Sequence, residues 1–125
     1  MKYIDRYPII VTPIFATCRD FWAKHLGFAV IFENDWFVLM QAEGASIAFM
    51  SPEHPSPPPG PETFTAGMCM ELEVDDAVAA LALFRATGRE PDYPLTDEPF
   101  GQRRFSVQDP SGLWVNVVQQ VTIPV

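Results

Sequence analysis

One order of secondary-structure signals occurs twice in this chain, and the repetition constrains the fold more than any other feature. A strand-like run at Ile9–Val11 precedes a predicted helix over Cys18–Leu26. A second strand-like run at Met68–Val74 precedes a predicted helix that continues to about Thr87. Each predicted helix is followed by a glycine, a residue that readily ends a helix. The glycines are Gly27 and Gly88.

Three further strands are predicted after each helix, because runs of β-branched and aromatic residues alternate there with turn residues. They are Phe28–Glu33, Trp36–Gln41 and Ala45–Met50 in the first half, and Arg89–Tyr93, Gln102–Gln108 and Leu113–Val121 in the second. The pattern predicts an α+β fold of two βαβββ modules.

Polar residues at the helix starts predict caps. Thr17, with Asp20 three positions later, is typical of the N-cap of the first helix, and Asp75-Asp76 of the second. Both motifs place a side-chain oxygen where it can accept hydrogen bonds from unpaired backbone N–H groups.

A proline-rich segment separates the two halves. Six of the 13 prolines lie within residues 51–64. Proline cannot donate a backbone hydrogen bond, so we interpret the segment as a stiff, extended linker. The alternative is a PxxP recognition motif. The predicted division is residues 1–50 for the first module, 51–64 for the linker and 65–125 for the second module.

The charge balance excludes some partners. The formal net charge is −8, from 16 acidic and 8 basic residues. Binding to nucleic acid needs a basic face, so no nucleic-acid partner is expected. A negative field favours a cationic ligand. No apolar run is long enough to span a membrane, and the first residues lack the apolar core of a signal peptide, so we expect a cytoplasmic protein with no membrane partner.

The two cysteines, Cys18 and Cys69, lack the close spacing of a metal or redox motif. We interpret both as small, buried hydrophobic residues in a reducing compartment.

The segment Phe105–Gln120 reads as a closing hairpin. Its turn, Asp109-Pro110-Ser111-Gly112, combines a proline that presets φ, an aspartate that bonds its own backbone and a glycine that permits positive φ.

This hairpin resembles the last hairpin of the vicinal oxygen chelate superfamily, which includes glyoxalase I, bleomycin-resistance proteins and extradiol dioxygenases. The resemblance extends over nearly the whole chain. It includes Arg19–Phe28, which is similar to the "FY…LGF" segment of the family, and Glu71–Asp76, which is similar to the entry of its second module. Gly101–Phe105 before the closing turn is similar too. The resemblance implies that the modules curl into a cupped mixed sheet and that the protein is a homodimer.

Metal-binding members of the family use His, Gln or Glu at four strand positions, and this chain departs from that pattern. The last position is a Glu separated from the Asp-Pro-x-Gly turn by three residues, and this chain has Asn116 there. The other three positions fall near Tyr7 or Pro8, within Ala45–Met50, and near Met68 or Cys69. None supplies a strong donor, so we expect no metal and no cofactor. The two histidines lie elsewhere. His25 is predicted to pack in the first helix, and His54 to be solvent-exposed in the linker.

The cavity then becomes the candidate site. If Asn116 keeps the inward position of the family, strand alternation turns Trp114 inward as well. The same alternation turns Cys69 and Glu71 towards the cavity. Trp36 and Phe100 each stand beside acidic residues near a strand start, an arrangement that could hold a flat or cationic ligand. The alternative is that Trp36, Phe100 and Phe37 belong to the core or to a dimer interface.

Arg103 and Arg104 could bind an anionic group or form surface ion pairs. The candidate ligand-binding residues are therefore Trp36, Glu71, Phe100, Trp114 and Asn116, with no catalytic residue assigned.

Three functions are compatible with the sequence. The first, similar to the bleomycin-resistance branch, is a metal-free antibiotic-resistance protein that sequesters a small aromatic or cationic molecule. The second is an enzyme, a lyase of the glyoxalase type or a dioxygenase, with an unusual metal-ligand set. The third is a cofactor-free enzyme that uses Glu71 as a general base.

Overall fold

The computed structural model describes residues 1–56 and 58–122. The chain divides into two compact units, Met1–Thr65 and Ala66–Val125. Each unit contains one βαβββ module with a four-stranded mixed sheet, which confirms the predicted α+β class. No helix within the described ranges has the length and apolar character needed to cross a membrane.

The first unit is built from β1 (Ile9–Val11), α1 (Phe15–Leu26), β2 (Ala29–Glu33), β3 (Phe37–Ala42) and β4 (Ala45–Met50). The strand order is β1-β4-β3-β2, with β1 parallel to β4 and the other pairs antiparallel. The strands β2, β3 and β4 are joined as antiparallel hairpins. The parallel pair of β1 and β4 requires a crossover connection, and α1 forms part of it.

The core of this unit forms where α1 lies against the sheet. Trp22, which is fully buried, packs edge-on against Phe28 at a ring-centroid distance of 4.9 Å and against Phe49 at 6.0 Å. Such pairs stabilise the packing beyond the area they bury.

The predicted cap of α1 is wrong. The helix begins at Phe15, so Thr17 lies inside its first turn, and the N-cap position is Ile14, whose side chain makes no capping bond. Instead, the Thr12 hydroxyl accepts a hydrogen bond from the Ile14 N–H at 3.3 Å. The predicted end is confirmed: Gly27 adopts φ 74°, and its N–H donates to the Trp22 carbonyl.

The proline-rich segment carries no helix or strand over its described residues, and it belongs to the first unit. Pro57 lies outside the described residues. His54 is half-buried, so its predicted solvent exposure is wrong. Its ring lies 6.3 Å from that of Trp36, and its Nδ1 accepts the Ser56 N–H at 3.1 Å. The division of the chain at residues 50 and 64 stays a prediction.

The second unit contains β5 (Cys69–Glu73), α2 (Ala77–Ala86), β6 (Tyr93–Glu98), β7 (Gln102–Gln108) and β8 (Trp114–Gln120). Its order, β5-β8-β7-β6, repeats that of the first sheet, again with one parallel pair, β5 and β8. The predicted cap of α2 is confirmed, because the Asp76 carboxylate accepts the Ala79 N–H at 3.0 Å.

The predicted strand Arg89–Tyr93 is wrong, because the strand is β6, Tyr93–Glu98. The sequence YPLTDE contains Pro94 and two acids, which disfavour a central strand. However, β6 pairs only with β7 and is an edge strand, where proline is tolerated. The register shift between Tyr93 and Thr96 accommodates Pro94.

The predicted closing turn is confirmed. Asp109 is only 4% exposed, and its Oδ1 accepts hydrogen bonds from the Ser111 N–H at 2.8 Å and the Leu113 N–H at 3.1 Å. Gly112 has φ 91°, a conformation that costs other residues strain. The turn therefore fixes the register between β7 and β8.

Candidate functional site

The two faces of the second sheet have different surroundings. The helix α2 covers one face, where Phe84 packs against Phe105 at 5.6 Å. Side chains alternate along a strand, so Arg104, Ser106, Trp114 and Asn116 project from the opposite face. We call this the polar face.

A single row of paired residues crosses the polar face through all four strands. In the register of the sheet, Glu71 on β5 is the partner of Asn116 on β8. Asn116 is also the partner of Ser106 on β7. Ser106 is in turn the partner of Tyr93 on β6. Cross-strand partners have Cβ atoms about 5 Å apart, so neighbours along the row are within side-chain reach.

Hydrogen bonds join three residues of this row, Glu71, Asn116 and Ser106. The Asn116 Nδ2 donates to Glu71 Oε1 at 2.5 Å, and the Ser106 hydroxyl donates to Asn116 Oδ1 at 2.6 Å. An amide can donate only from nitrogen and accept only at oxygen, so these two partners fix its orientation. The carbonyl oxygen of Asn116 therefore points away from Glu71.

Arg104 extends the network towards β6. Its Nη1 lies 3.4 Å from Asn116 Oδ1, and its Nε lies 3.6 Å from Glu98 Oε1. Its guanidinium carbon stands 4.8 Å from the centre of the Tyr93 ring, a cation–π contact. The Tyr93 hydroxyl in turn donates to Glu98 at 2.5 Å.

A cavity of about 320 Å³ opens on the polar face. This volume is within the range of small-molecule sites. Trp114 is 40% exposed there, so part of its ring surface is available to a ligand. The lining residues are Cys69, Tyr93, Arg104, Ser106, Trp114 and Asn116.

Comparison with known proteins places the chain in a family. The family model described as "Glyoxalase/Bleomycin resistance protein/Dioxygenase superfamily" matches residues 4–117. The chain belongs to this superfamily. No curated protein sequence matches the chain.

Solved structures of the superfamily share its fold. A glyoxalase/bleomycin resistance protein/dioxygenase from Nocardioides aligns with a TM-score of 0.77 at 18% identity, covering 100% of this chain and 89% of that one. A bleomycin-binding protein complexed with bleomycin aligns at 0.70 and 18% identity, covering 94% and 99%. A lactoylglutathione lyase from Agrobacterium tumefaciens aligns at 0.74 and 12% identity, covering 95% of each chain. At these identities the likeness shows the fold alone, and one fold supports many functions.

The metal chemistry found in part of this superfamily does not fit the polar face. The resemblance assigns Asn116 to the position of a metal-binding Glu, but its one acceptor atom, Oδ1, already receives the Ser106 hydroxyl. The Arg104 guanidinium, 3.4 Å away, would repel a metal ion there. Within residues 1–56 and 58–122, no group of three or more His, Cys, Asp or Glu side chains could hold a metal ion.

The structure brings three of the five predicted site residues together. Glu71 and Asn116 are hydrogen-bonded, and Trp114 lies two positions before Asn116 on the same strand. Phe100 lies in the turn between β6 and β7, is 60% exposed and does not line the cavity. Trp36 belongs to the first unit, where its ring lies 5.9 Å from that of Phe37.

Cys69 is exposed and lines the cavity, so its predicted burial is wrong, whereas Cys18 is buried as predicted. Cys69 lies two positions before Glu71 on β5, so strand alternation turns both side chains to the polar face.

Sequence reasoning missed Ser106 and Tyr93. The position of Ser106 is predictable from the sequence, because pairing the residues on the two sides of the Asp109 turn as a hairpin makes Ser106 the partner of Asn116. The position of Tyr93 is not, because the strand that carries it was predicted in the wrong place.

Proposed function

We propose that this protein binds a small aromatic or cationic molecule in the cavity of the polar face, without a metal ion, and sequesters it. The observation that carries the proposal is the position of Trp114, which is partly exposed on the cavity wall beside the hydrogen-bonded pair of Asn116 and Glu71. A flat ligand can stack on that indole, and such pairs gain roughly 0.5–1.5 kcal/mol beyond the buried area.

The charge on Glu71 favours a cationic group on the ligand. Its carboxylate accepts a hydrogen bond from the neutral amide of Asn116, and no ion pair involves it among the residues that the structure describes. A ligand cation would supply the missing counter-charge. The formal net charge of −8 adds long-range attraction.

The relatives support this reading by precedent. A bleomycin-binding protein has been solved in complex with bleomycin on the same fold. We extend that precedent to a drug-binding, resistance-type role in the cytoplasm. The enzyme alternative has a relative too, the lactoylglutathione lyase, but a metal-dependent mechanism would need ligands that the polar face lacks.

We also propose a homodimer. The edge strand β2 exposes the consecutive apolar residues Val30, Ile31 and Phe32, and an unpaired edge of this kind is a template for association. Light scattering should give about twice the chain mass of 14.0 kDa. A monomer at micromolar concentration would contradict this part of the proposal.

Fluorescence titration tests the binding function. Proflavine, a flat cationic dye, should quench the protein's tryptophan emission, and added salt should weaken the binding. Trp114→Ala should lose most of the quenching. Trp36→Phe is the matched variant: it removes the partly exposed tryptophan of the first unit, so it shows whether Trp36 takes part. The proposal fails if neither proflavine nor bleomycin perturbs the wild type at up to millimolar concentration. A chelator-sensitive lyase or dioxygenase activity would then favour the enzyme alternative.

A further inference from the structure

We propose that Arg104 determines ligand specificity, and that the ligand is an amphoteric aromatic molecule with a cationic group for Glu71 and an anionic oxygen for Arg104. This inference rests on the proposed binding function and specifies the ligand class of the same cavity. It follows from three properties of Arg104: unused donors, a fixed position and a place opposite Glu71.

The donors of Arg104 are poorly satisfied. Its Nε is buried from solvent and has no hydrogen-bond partner among the described residues, since the nearest Glu98 oxygen lies 3.6 Å away. Its Nη1 contacts Ser106 and Asn116 at 3.5 and 3.4 Å, the long end of hydrogen bonding. A guanidinium carries five N–H donors, so this one retains capacity for an oxygen anion.

The neighbouring arginine provides the contrast. Arg103 projects from the other face of β7 and forms a two-pronged pair with Asp97, at 2.7 Å from Nε and 3.2 Å from Nη2. Such pairing satisfies the planar fork of a guanidinium. Of these two adjacent arginines, Arg104 alone lines the cavity.

The position of Arg104 is fixed before any ligand arrives. Its guanidinium stacks over the Tyr93 ring and forms an ion pair with Glu98, and the Tyr93 hydroxyl holds that same carboxylate. A side chain held in this way loses little conformational freedom on binding, which favours affinity.

Glu71 and Arg104 lie on opposite sides of Asn116. The acid is on β5 and the arginine on β7, with β8 between them, so two strand spacings of about 5 Å separate their backbones by roughly 10 Å. The amide of Asn116 presents its N–H to Glu71 and its oxygen to the Arg104 side. Glu71 does not itself line the cavity, but it is exposed and hydrogen-bonded to the lining residue Asn116, beside the aromatic wall of Trp114. A ligand in the cavity therefore meets the positive charge of Arg104 on the lining and the negative charge of Glu71 just beyond Asn116.

Four acridines with one ring system test the proposal: acridine, 9-aminoacridine, acridine-4-carboxylate and 9-aminoacridine-4-carboxylate. Fluorescence anisotropy at neutral pH gives each dissociation constant. The amphoteric probe should bind at least about tenfold more tightly than 9-aminoacridine, since a charge-assisted hydrogen bond contributes that much. Arg104→Gln should remove this difference, because it weakens the binding of the carboxylate probes and not that of 9-aminoacridine, which has no anionic oxygen.

Two further variants complete the test. Arg103→Gln, the matched control, should change none of the four constants. Arg104→Lys keeps the positive charge but loses the planar guanidinium, so it should retain part of the gain in affinity that the probe's carboxylate brings. It also serves if Arg104→Gln fails to fold, as judged by its thermal unfolding.

The results distinguish failure of the specificity inference from failure of the binding function. If the carboxylate brings no gain to the wild type, or if Arg104→Gln weakens all probes equally, the specificity inference is overturned and the binding function stands. If no acridine binds the wild type, and bleomycin does not bind either, both are overturned.

Discussion

Asn116 and Glu71 face each other across the parallel strands β8 and β5, with the amide nitrogen 2.5 Å from the carboxylate oxygen. The neutral amide of Asn116 thus holds an acid on one side, and its Oδ1 lies 3.4 Å from the Arg104 Nη1 on the other. The polar face thus carries two opposite charges on either side of a neutral amide.

Restoring the acid alone should not restore a metal site. In Asn116→Glu the new carboxylate meets the Arg104 guanidinium on one side and Glu71 on the other, and no third acidic, His or Cys ligand completes a set among the described residues. We expect isothermal titration calorimetry with Zn²⁺, Ni²⁺ or Mn²⁺ to show no stoichiometric binding with a dissociation constant below about 0.1 mM, the range of weak divalent-ion sites. Tight, one-to-one binding would contradict this expectation.

Removing the Asp109 carboxylate should destabilise the second unit. Asp109→Ala leaves the N–H groups of Ser111 and Leu113 without their acceptor in a buried turn. The free energy of unfolding should fall by about 2–3 kcal/mol, measured by urea denaturation. Asp109→Asn retains an oxygen acceptor and should lose clearly less. Equal losses in the two variants would show that the charge, and not the acceptor, stabilises the turn.

This turn also shows how far the fold is predictable from sequence. Asp109, Gly112, Gly27 and Asp76 have local backbone roles, and local roles are readable from residue type. The strand β6 was misplaced because its edge position, which makes Pro94 tolerable, is a property of the whole sheet and not of the segment.

The site was predictable only in part for the same reason. Trp114 and Asn116 follow from alternation along one strand, and Glu71 from alternation along another. That Asn116 would bond Glu71 depends on the register of the parallel pair, which no local motif encodes. The role of Arg104 depends on Tyr93 and Glu98, which come from the misplaced strand.

Asp92 should make stability dependent on acid pH. The Gln108 N–H, at 2.8 Å, and then the Arg89 guanidinium hold the pKa of its carboxyl below the usual 3.8. A carboxyl whose pKa is lower in the folded state stabilises the fold above the unfolded value, and this contribution is lost as the pH falls through the folded value. The loss therefore occurs below about pH 4.

The variant Asp92→Asn tests this effect. It should unfold more easily at neutral pH, by up to about 1 kcal/mol because the group is partly exposed, and should show a shallower loss of stability below pH 4. Urea denaturation at a series of pH values measures both. An unchanged acid slope would mean that Asp92 is not the responsible group. Asp20→Asn is the control, because that carboxylate is mostly exposed and forms a surface pair with Arg19.

The two thiols should differ in reactivity, and the difference reports on the site. Cys69 is exposed on the cavity wall, paired in register with Trp114, whereas Cys18 is buried in the first unit. Ellman's reagent should therefore modify about one thiol per folded chain and two after unfolding, because buried thiols react only when exposed. Cys69→Ser should leave no fast-reacting thiol, and Cys18→Ala should leave the fast phase unchanged.

A ligand stacked on Trp114 would cover Cys69, so a saturating concentration of 9-aminoacridine-4-carboxylate should slow the modification of Cys69 severalfold in the wild type. If the acridine binds with the expected affinity but leaves the rate for Cys69 unchanged, the ligand lies elsewhere on the chain and the assignment of the polar face as the binding site is wrong.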